Sequence, residues 1–269
     1  MNSILFDIGG TKMRVAYSAD GESFEAPQTI KTPELYDDGV KAFVDLARIC
    51  SNGRPIEKIT GGIAGPFDER KSTLVGSPNL KDWIGKPLKE ALQKELQAPV
   101  TLENDSAVVG LGEAVSGAGK GFGIVAYITV STGVGGARII SGKIDEKAIG
   151  FEPGHQIMDI KNGDTLQNLV GGRALEIKTG KKPKDITDPN LWDEYAKLLA
   201  MGLNNSIVHW SPDILVLGGS MITGDPAIPV DKTENYLKDI LKIYPEVPVI
   251  KKAELGDFGG LYGALQLLR

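Results

Sequence analysis

The chain has 269 residues, 41% of them hydrophobic, enough to fill one large core or two moderate ones, which excludes disorder as the main state. A net charge of -5 with both signs mixed along the sequence gives no basic face for nucleic acid and no polybasic segment for a membrane surface. Cys50 is the one cysteine, so no intrachain disulfide can form. The start "MNSILFDIGG" lacks a signal-peptide pattern, and no apolar run reaches membrane-spanning length, so a cytoplasmic protein is expected.

In chain order, short β-rich runs alternate with helical patterns, the signature of an α/β architecture. The predicted strands are "SILFDIG", "MRVAYSA", "IEKITGGIAG", "APVTLEN", "GIVAYITVS", "GARIISGKI", "PDILVLGG" and "VPVIKKAEL". Val40, Phe43, Val44 and Ala47 fall at helical spacing, as do Leu88, Leu92 and Leu96. "LWDEYAKLLAMGLNNSIVHW" reads as a long buried helix, with Trp192, Tyr195 and Trp210 as core and His209 as an ordinary helix residue. "FGGLYGALQLL" predicts a last helix whose Gly259, Gly260 and Gly263 permit close backbone approach.

"ILFDIGGTKMRVAYSADG" and "AYITVSTGVGGARIISGK" share one plan: an apolar strand, a Gly-rich turn with a hydroxyl, then a strand with Arg near its start. This suggests a duplicated domain with a boundary near Gly110 to Gly123, although Gly-rich hairpins are common in themselves. In "DIGGTK", successive glycines can turn backbone N–H groups toward an anion, and Thr11 and Lys12 can add a hydroxyl and a charge. A plain hairpin turn accounts for the same glycines. Asp7 would oppose such an anion unless Mg²⁺ held through water lies between them. "STGVGGA", with Ser131, Thr132 and Gly133, repeats the phosphate-binding composition, and Gly10 and Gly133 are candidates for a positive φ. "GAGKGFG" resembles a P-loop but puts Gly121 where the Ser or Thr belongs.

In "LENDSA", an N-cap role would explain Asp105 and leave Glu103 and Asn104 unexplained. A polyol site needs fixed donors and acceptors plus one carboxylate to take a proton. "GFEPGHQIMD" places Glu152 and His155 around a Pro-Gly turn, and "SPNLKDW" offers Asn79 in a loop; surface turns would serve as well for either.

Side by side and in this order, "DIGGTKMRVA", "GGIAGPFD", "SPNLKDW", "LENDSAVVGLGEA", "ITVSTGVGGARI", "GFEPGHQIMD", "LVLGGSMI" and "GDFGGLYGAL" make the chain resemble the ROK family of sugar kinases and repressors. The resemblance spans nearly the whole chain. It implies an α/β fold of two ribonuclease-H-like, actin-like ATPase domains facing across a cleft. The expected division is 1–112, with the C-terminal helix a candidate to complete it, and 113–269. The activity implied is transfer of the γ-phosphate of ATP to a hexose, glucose first, with fructose or an N-acetylhexosamine such as N-acetylmannosamine as alternatives. By position, Asp105 matches the catalytic base. Gly9, Gly10, Thr11 and Lys12 match the first phosphate loop, Thr132 and Gly133 the second, and Gly218 and Gly219 the adenosine-side loop. Asp7 would sit near Mg²⁺. Asn79, Asn104, Glu152, His155 and Glu176 match sugar-contacting positions, and a homodimer is the implied assembly.

One departure stands out. Many family members bind a structural zinc through three cysteines and the histidine of the E-x-G-H motif, but Asn162 to Glu176 contains no cysteine. No structural zinc is expected, and packing of Leu166, Leu169 and Val170 is the candidate replacement. A DNA-binding regulator is disfavoured because the phosphate loop begins at Asp7. A non-catalytic sugar sensor is disfavoured by Asp105 and both phosphate loops, and a filament or chaperone ATPase by the sugar-type motifs.

Overall fold

Ser3–Ile8 (β1) and Lys12–Ser18 (β2) form an antiparallel hairpin, and every residue of β1 is buried, as befits a strand covered on both faces. The computed structural model describes residues 1–77, 79–145 and 149–269. It divides into two units, Met1–Ser116 with Leu255–Arg269, and Gly117–Asp145 with Phe151–Glu254.

The first unit continues through Gln28–Lys31 (β3), Tyr36–Ser51 (α1), Lys58–Ile63 (β4), Leu88–Leu96 (α2), Val100–Asn104 (β5) and Asp105–Ser116 (α3). Its sheet runs in the order β3-β2-β1-β4-β5, with β1 antiparallel to β2 and parallel to β4. Strand alternation divides β1 between two layers. Ile4, Phe6 and Ile8 join the core built with α1 and α2, where Phe43 meets Phe6 edge to face at 5.2 Å. Leu5 faces the opposite layer, among Val108, Leu261 and Ala264, and alternation puts Asp7 on that face.

In the second unit, Ile124–Val130 (β6), Val134–Ile140 (β7) and Lys143–Ile144 (β8) are followed by a small hairpin, Ile157–Asp159 (β9) and Asp164–Thr165 (β10). Helices Leu166–Val170 (α4), Gly172–Thr179 (α5) and Pro189–Trp210 (α6) come next, then Ile214–Gly218 (β11), Ser220–Thr223 (α7), Val230–Ile240 (α8) and Val249–Lys252 (β12). Asp188 caps α6 by accepting the Asn190 N–H, and Pro189 opens the helix at a position where no N–H is needed. The sheet order β12-β11-β6-β7-β8 repeats the plan of the first sheet strand for strand. In both, the hairpin is antiparallel and the next two strands are parallel. The duplication seen in the two Gly-rich hairpins is thus a duplication of whole ribonuclease-H-like sheets.

All eight predicted strands fall on observed ones. β3 escaped because "QTIK" is a mostly exposed edge strand with no apolar alternation. Trp192 and Tyr195 are buried, Trp210 is half-buried against Phe151, and His209 is exposed.

The last helix, Gly259–Gln266 (α9), belongs to the first unit and packs along α3. A Cβ on Gly112 would stand 2.5 Å from the Gly259 carbonyl oxygen, and one on Gly263 would collide with the Val108 carbonyl. The close approach predicted from these glycines is therefore to α3. At Gly260 the neighbour is Asp7, whose Cγ would lie 2.7 Å from an added Cβ.

Candidate active site

Arg14 stands directly opposite Asp7 in the β1–β2 register, and its Nη1 donates to Asp7 Oδ2 at 3.2 Å. Its Nη2 reaches Asp257 Oδ1 at 3.1 Å, and Lys12 Nζ reaches Asp257 Oδ2 at 3.1 Å. Burial, then the charge of Asp105, push the Asp7 carboxyl up to about 7, against the pull of Arg14. Arg14 is shared with Asp257, whose own charge adds to the upward push. As a donor set, Asp7 fits a Mg²⁺ that keeps several waters, since that ion is usually bound by one or two carboxylates plus substrate phosphates. Among the described residues no group of three or more His, Cys, Asp or Glu could cage a metal.

A carboxyl that ionises near 3.8 in the unfolded chain and near 7 when folded favours the folded state most below pH 4, and that contribution is lost as pH climbs to about 7. Asp7→Asn, which has no proton to lose, should therefore gain stability on the wild type across this window, at about 1.4 kcal/mol per unit and a few kcal/mol in all. Melting curves in chelator from pH 4 to 8 measure it. A difference that stays constant with pH would contradict the assignment.

The β5–α3 junction answers the question raised by "LENDSA". Asn104 is the cap: its Oδ1 accepts the Ala107 N–H at 3.1 Å, and its Nδ2 donates to the Gly65 carbonyl at 3.1 Å. Glu103 is buried, ion-paired with Lys71, and accepts the Asn104 N–H at 2.9 Å. Asp105 is thereby free of the capping role; its Oδ1 accepts from the adjoining Ser106, through N–H at 2.8 Å and hydroxyl at 3.4 Å. Burial raises its pKa, with the Ser106 bonds opposing, and among the described residues no cation pairs with it. Asn79 is exposed and touches the hairpin tip, where a Cβ on Gly10 would lie 2.6 Å from its side chain. Thr11 and Lys12 are exposed at the same tip, and Gly9 N–H donates to the Lys12 carbonyl at 2.9 Å.

In the second unit, the Ser131–Gly133 turn between β6 and β7 is gripped by the start of α5: Gly172 N–H donates to the Ser131 carbonyl at 2.7 Å and Arg173 N–H to that of Thr132 at 3.1 Å. Beside it opens a cavity of about 850 Å³ lined by Thr132, Arg173, Glu176, Lys182, Lys184 and Ser220, among others. Gly219, at φ +87°, leads from β11 into α7 with the Val130 carbonyl against it, and a Cβ on Gly218 would lie 2.5 Å from the Tyr127 hydroxyl. Neither Gly10 nor Gly133 takes a positive φ. What restricts them is space, against Asn79 in one case and, at 2.9 Å, the flexible end of Gln167 in the other. Glu152 and His155, both exposed, flank the 3₁₀ turn Pro153–His155, whose Gly154 packs on the Val134 carbonyl.

Apolar packing holds the segment that lacks cysteines. Leu166 and Val170 are fully buried, and Leu166 fills the space left by Gly202 on α6. Gln156 links the segment to α6, accepting from Asn205 at 2.8 Å, while its carbonyl accepts the Leu166 N–H at 3.0 Å. Elemental analysis of purified protein should find no stoichiometric zinc, and activity should survive chelation once Mg²⁺ is restored. One tightly held zinc per chain would contradict this.

A model described as the ROK family matches residues 4–269. The chain belongs to the ROK family. This ROK protein is 27% identical to the N-acetyl-D-glucosamine kinase of Escherichia coli, over 96% of each chain. It superposes on a ROK family glucokinase from Streptomyces griseus in complex with glucose and AMPPNP, with a TM-score of 0.84, 25% identity and 99% of both chains covered. A ROK hexokinase from Thermus thermophilus gives 0.82 and 27% identity, covering 99% of this chain and 97% of that one. No helix among the described residues is long and apolar enough to cross a membrane.

Sequence reasoning missed Arg14, Asp257 and the cavity cations Arg173, Lys182 and Lys184. Arg14 was in view as the Arg of the duplicated hairpin, and its registration with Asp7 follows from a tight turn. Nothing local marks Asp257, because its partners lie at the other end of the chain.

Proposed function

We propose that this chain is an ATP-dependent sugar kinase that transfers the γ-phosphate of ATP to a hexose hydroxyl, with the 6-hydroxyl of glucose as the first expectation. The observation that carries the reading is the division of labour at the β5–α3 junction. Asn104 caps the helix, so the Asp105 carboxylate, half-buried in surroundings that raise its pKa, does not cap and pairs with no cation among the described residues. A carboxylate spent neither on a cation nor on the helix cap is what a general base requires.

In this mechanism Asp105 accepts the proton of the attacking hydroxyl, while Asn79, Asn104, Glu152, His155 and Glu176 orient the sugar. Lys12 and the N–H groups of the first hairpin draw on the phosphates, as do the Thr132–Gly133 turn and the adjoining cavity in the second unit. The cavity's Arg173, Lys182 and Lys184 suit a polyanionic donor, and Gly218 and Gly219 lie at the adenosine side. Asp7 would hold Mg²⁺ through water, and the ion would supply charge neutralisation for the donor phosphates. Positioning and electrostatics do most of the work in phosphoryl transfer, so few side chains need to react.

An N-acetylhexosamine is the second reading, supported by the activity of the Escherichia coli relative. A coupled ADP-release screen over a panel of hexoses and N-acetylhexosamines with ATP and Mg²⁺ tests both. Glucose should give the highest kcat/KM; no sugar-dependent ADP from any member would end the kinase reading.

A further inference from the structure

Asp257 lies in the segment just before α9, and the fold takes trouble to aim it. Glu113, fully buried on α3, accepts the Leu255 N–H at 2.9 Å, and Gly256 at φ +53° makes the turn that follows. Asp257 then divides its two oxygens, Oδ2 to Lys12 Nζ and Oδ1 to Arg14 Nη2, each at 3.1 Å. Arg14 is 10% exposed and is itself fixed by Asp7, so one end of this bridge is anchored, while Lys12 is 53% exposed at the hairpin tip. A lysine side chain otherwise samples many rotamers.

We infer that Asp257 is a positioning residue for the donor phosphates, holding the Lys12 ammonium at the mouth of the first hairpin by tying it to the Arg14–Asp7 pair. The inference rests on the kinase reading above, in which Lys12 meets phosphate. The chain's C-terminal segment thereby completes a phosphate loop that begins at Gly9, and Glu113 links that segment to the helix that starts with Asp105. Asp257 touches no reacting atom in this scheme; it acts through Lys12.

Isothermal calorimetry with ATP and Mg²⁺, together with steady-state kinetics, tests it. Asp257→Asn should weaken ATP binding and raise the KM for ATP by about fivefold, the scale of a partly exposed ion pair, with kcat and sugar affinity little changed. Asp257→Glu should recover most of the loss. In a Lys12→Met background, Asp257→Asn should have no further effect on ATP affinity, the non-additivity expected of residues acting as one unit. Melting temperatures close to wild type would show that folding is not the cause. ATP affinity unchanged or tighter in Asp257→Asn, or a full additional loss on top of Lys12→Met, would overturn the inference. Wild-type protein that binds no ATP and forms no ADP with any sugar would instead remove the kinase reading beneath it.

Discussion

Asp105→Asn should lower sugar-dependent ADP formation by about 10²- to 10⁴-fold, the contribution of a positioned general base. Sugar affinity should stay within about tenfold, because Asn keeps the shape and an acceptor while losing only basicity. The junction also predicts what will not happen. The helix cap is Asn104, whose Oδ1 takes the Ala107 N–H, so Asp105→Asn should cost the helix no cap and, because burial disfavours the Asp105 charge, should raise the melting temperature near neutral pH instead of lowering it. Asn104→Ala should behave in the opposite way, removing the cap at a cost of about 1 kcal/mol and also the tether to Gly65. Turnover of Asp105→Asn above a tenth of wild type, measured with the best sugar of the panel, would take the base role away from this residue. The wild-type rate should fall on the acid side at a pH above the ordinary carboxylate range, since burial raises the Asp105 pKa and only the ionised form accepts a proton.

Gly263→Ala should be the most destabilising methyl group that can be added to α9. Alanine in a helix gains about 1 kcal/mol over glycine in intrinsic preference. Here the new Cβ would be driven into the Val108 carbonyl, a backbone atom that no rotamer change can move aside. Relief requires α9 and α3 to part, which loosens Leu261, Ala264 and Leu265 from Leu5, Ala16 and Val108. Overpacking costs typically 1–3 kcal/mol, and more against backbone, so a net loss of about 2 kcal/mol or more is expected. For a chain of this size that is a melting temperature lower by about 5 °C. Gly150→Ala is the control: none of the described residues lies within 4 Å of its Cβ, and its stability should match wild type within about 0.5 kcal/mol. Equal melting temperatures for the two variants would show that the α3–α9 contact is looser than its geometry implies.

The sequence by itself determined what depends on neighbours along the chain. Apolar alternation and β-branched runs announce eight strands, glycines announce the two hairpin tips and a helix that must lie close to something, and a single cysteine removes the zinc cluster. The order of motifs along the chain was enough to name the family, because each motif is a strand end or a turn whose local chemistry is written in consecutive residues. Tertiary structure decided everything that depends on which distant residues share a space. Asp105 and Asn104 are both good helix caps, and only the fold, by bringing the Gly65 carbonyl to the Asn104 amide, decides that Asn104 caps and Asp105 stays free. Lys12 and Asp257 are separated by 245 residues, so no periodicity could pair them. The glycines of α9 could have met any neighbour; sheet order and the hand of the chain place α3 and Asp7 there. Local patterns fix backbone conformation because steric and hydrogen-bonding preferences act over a few residues, whereas charge pairing and close packing are set by the path of the whole chain.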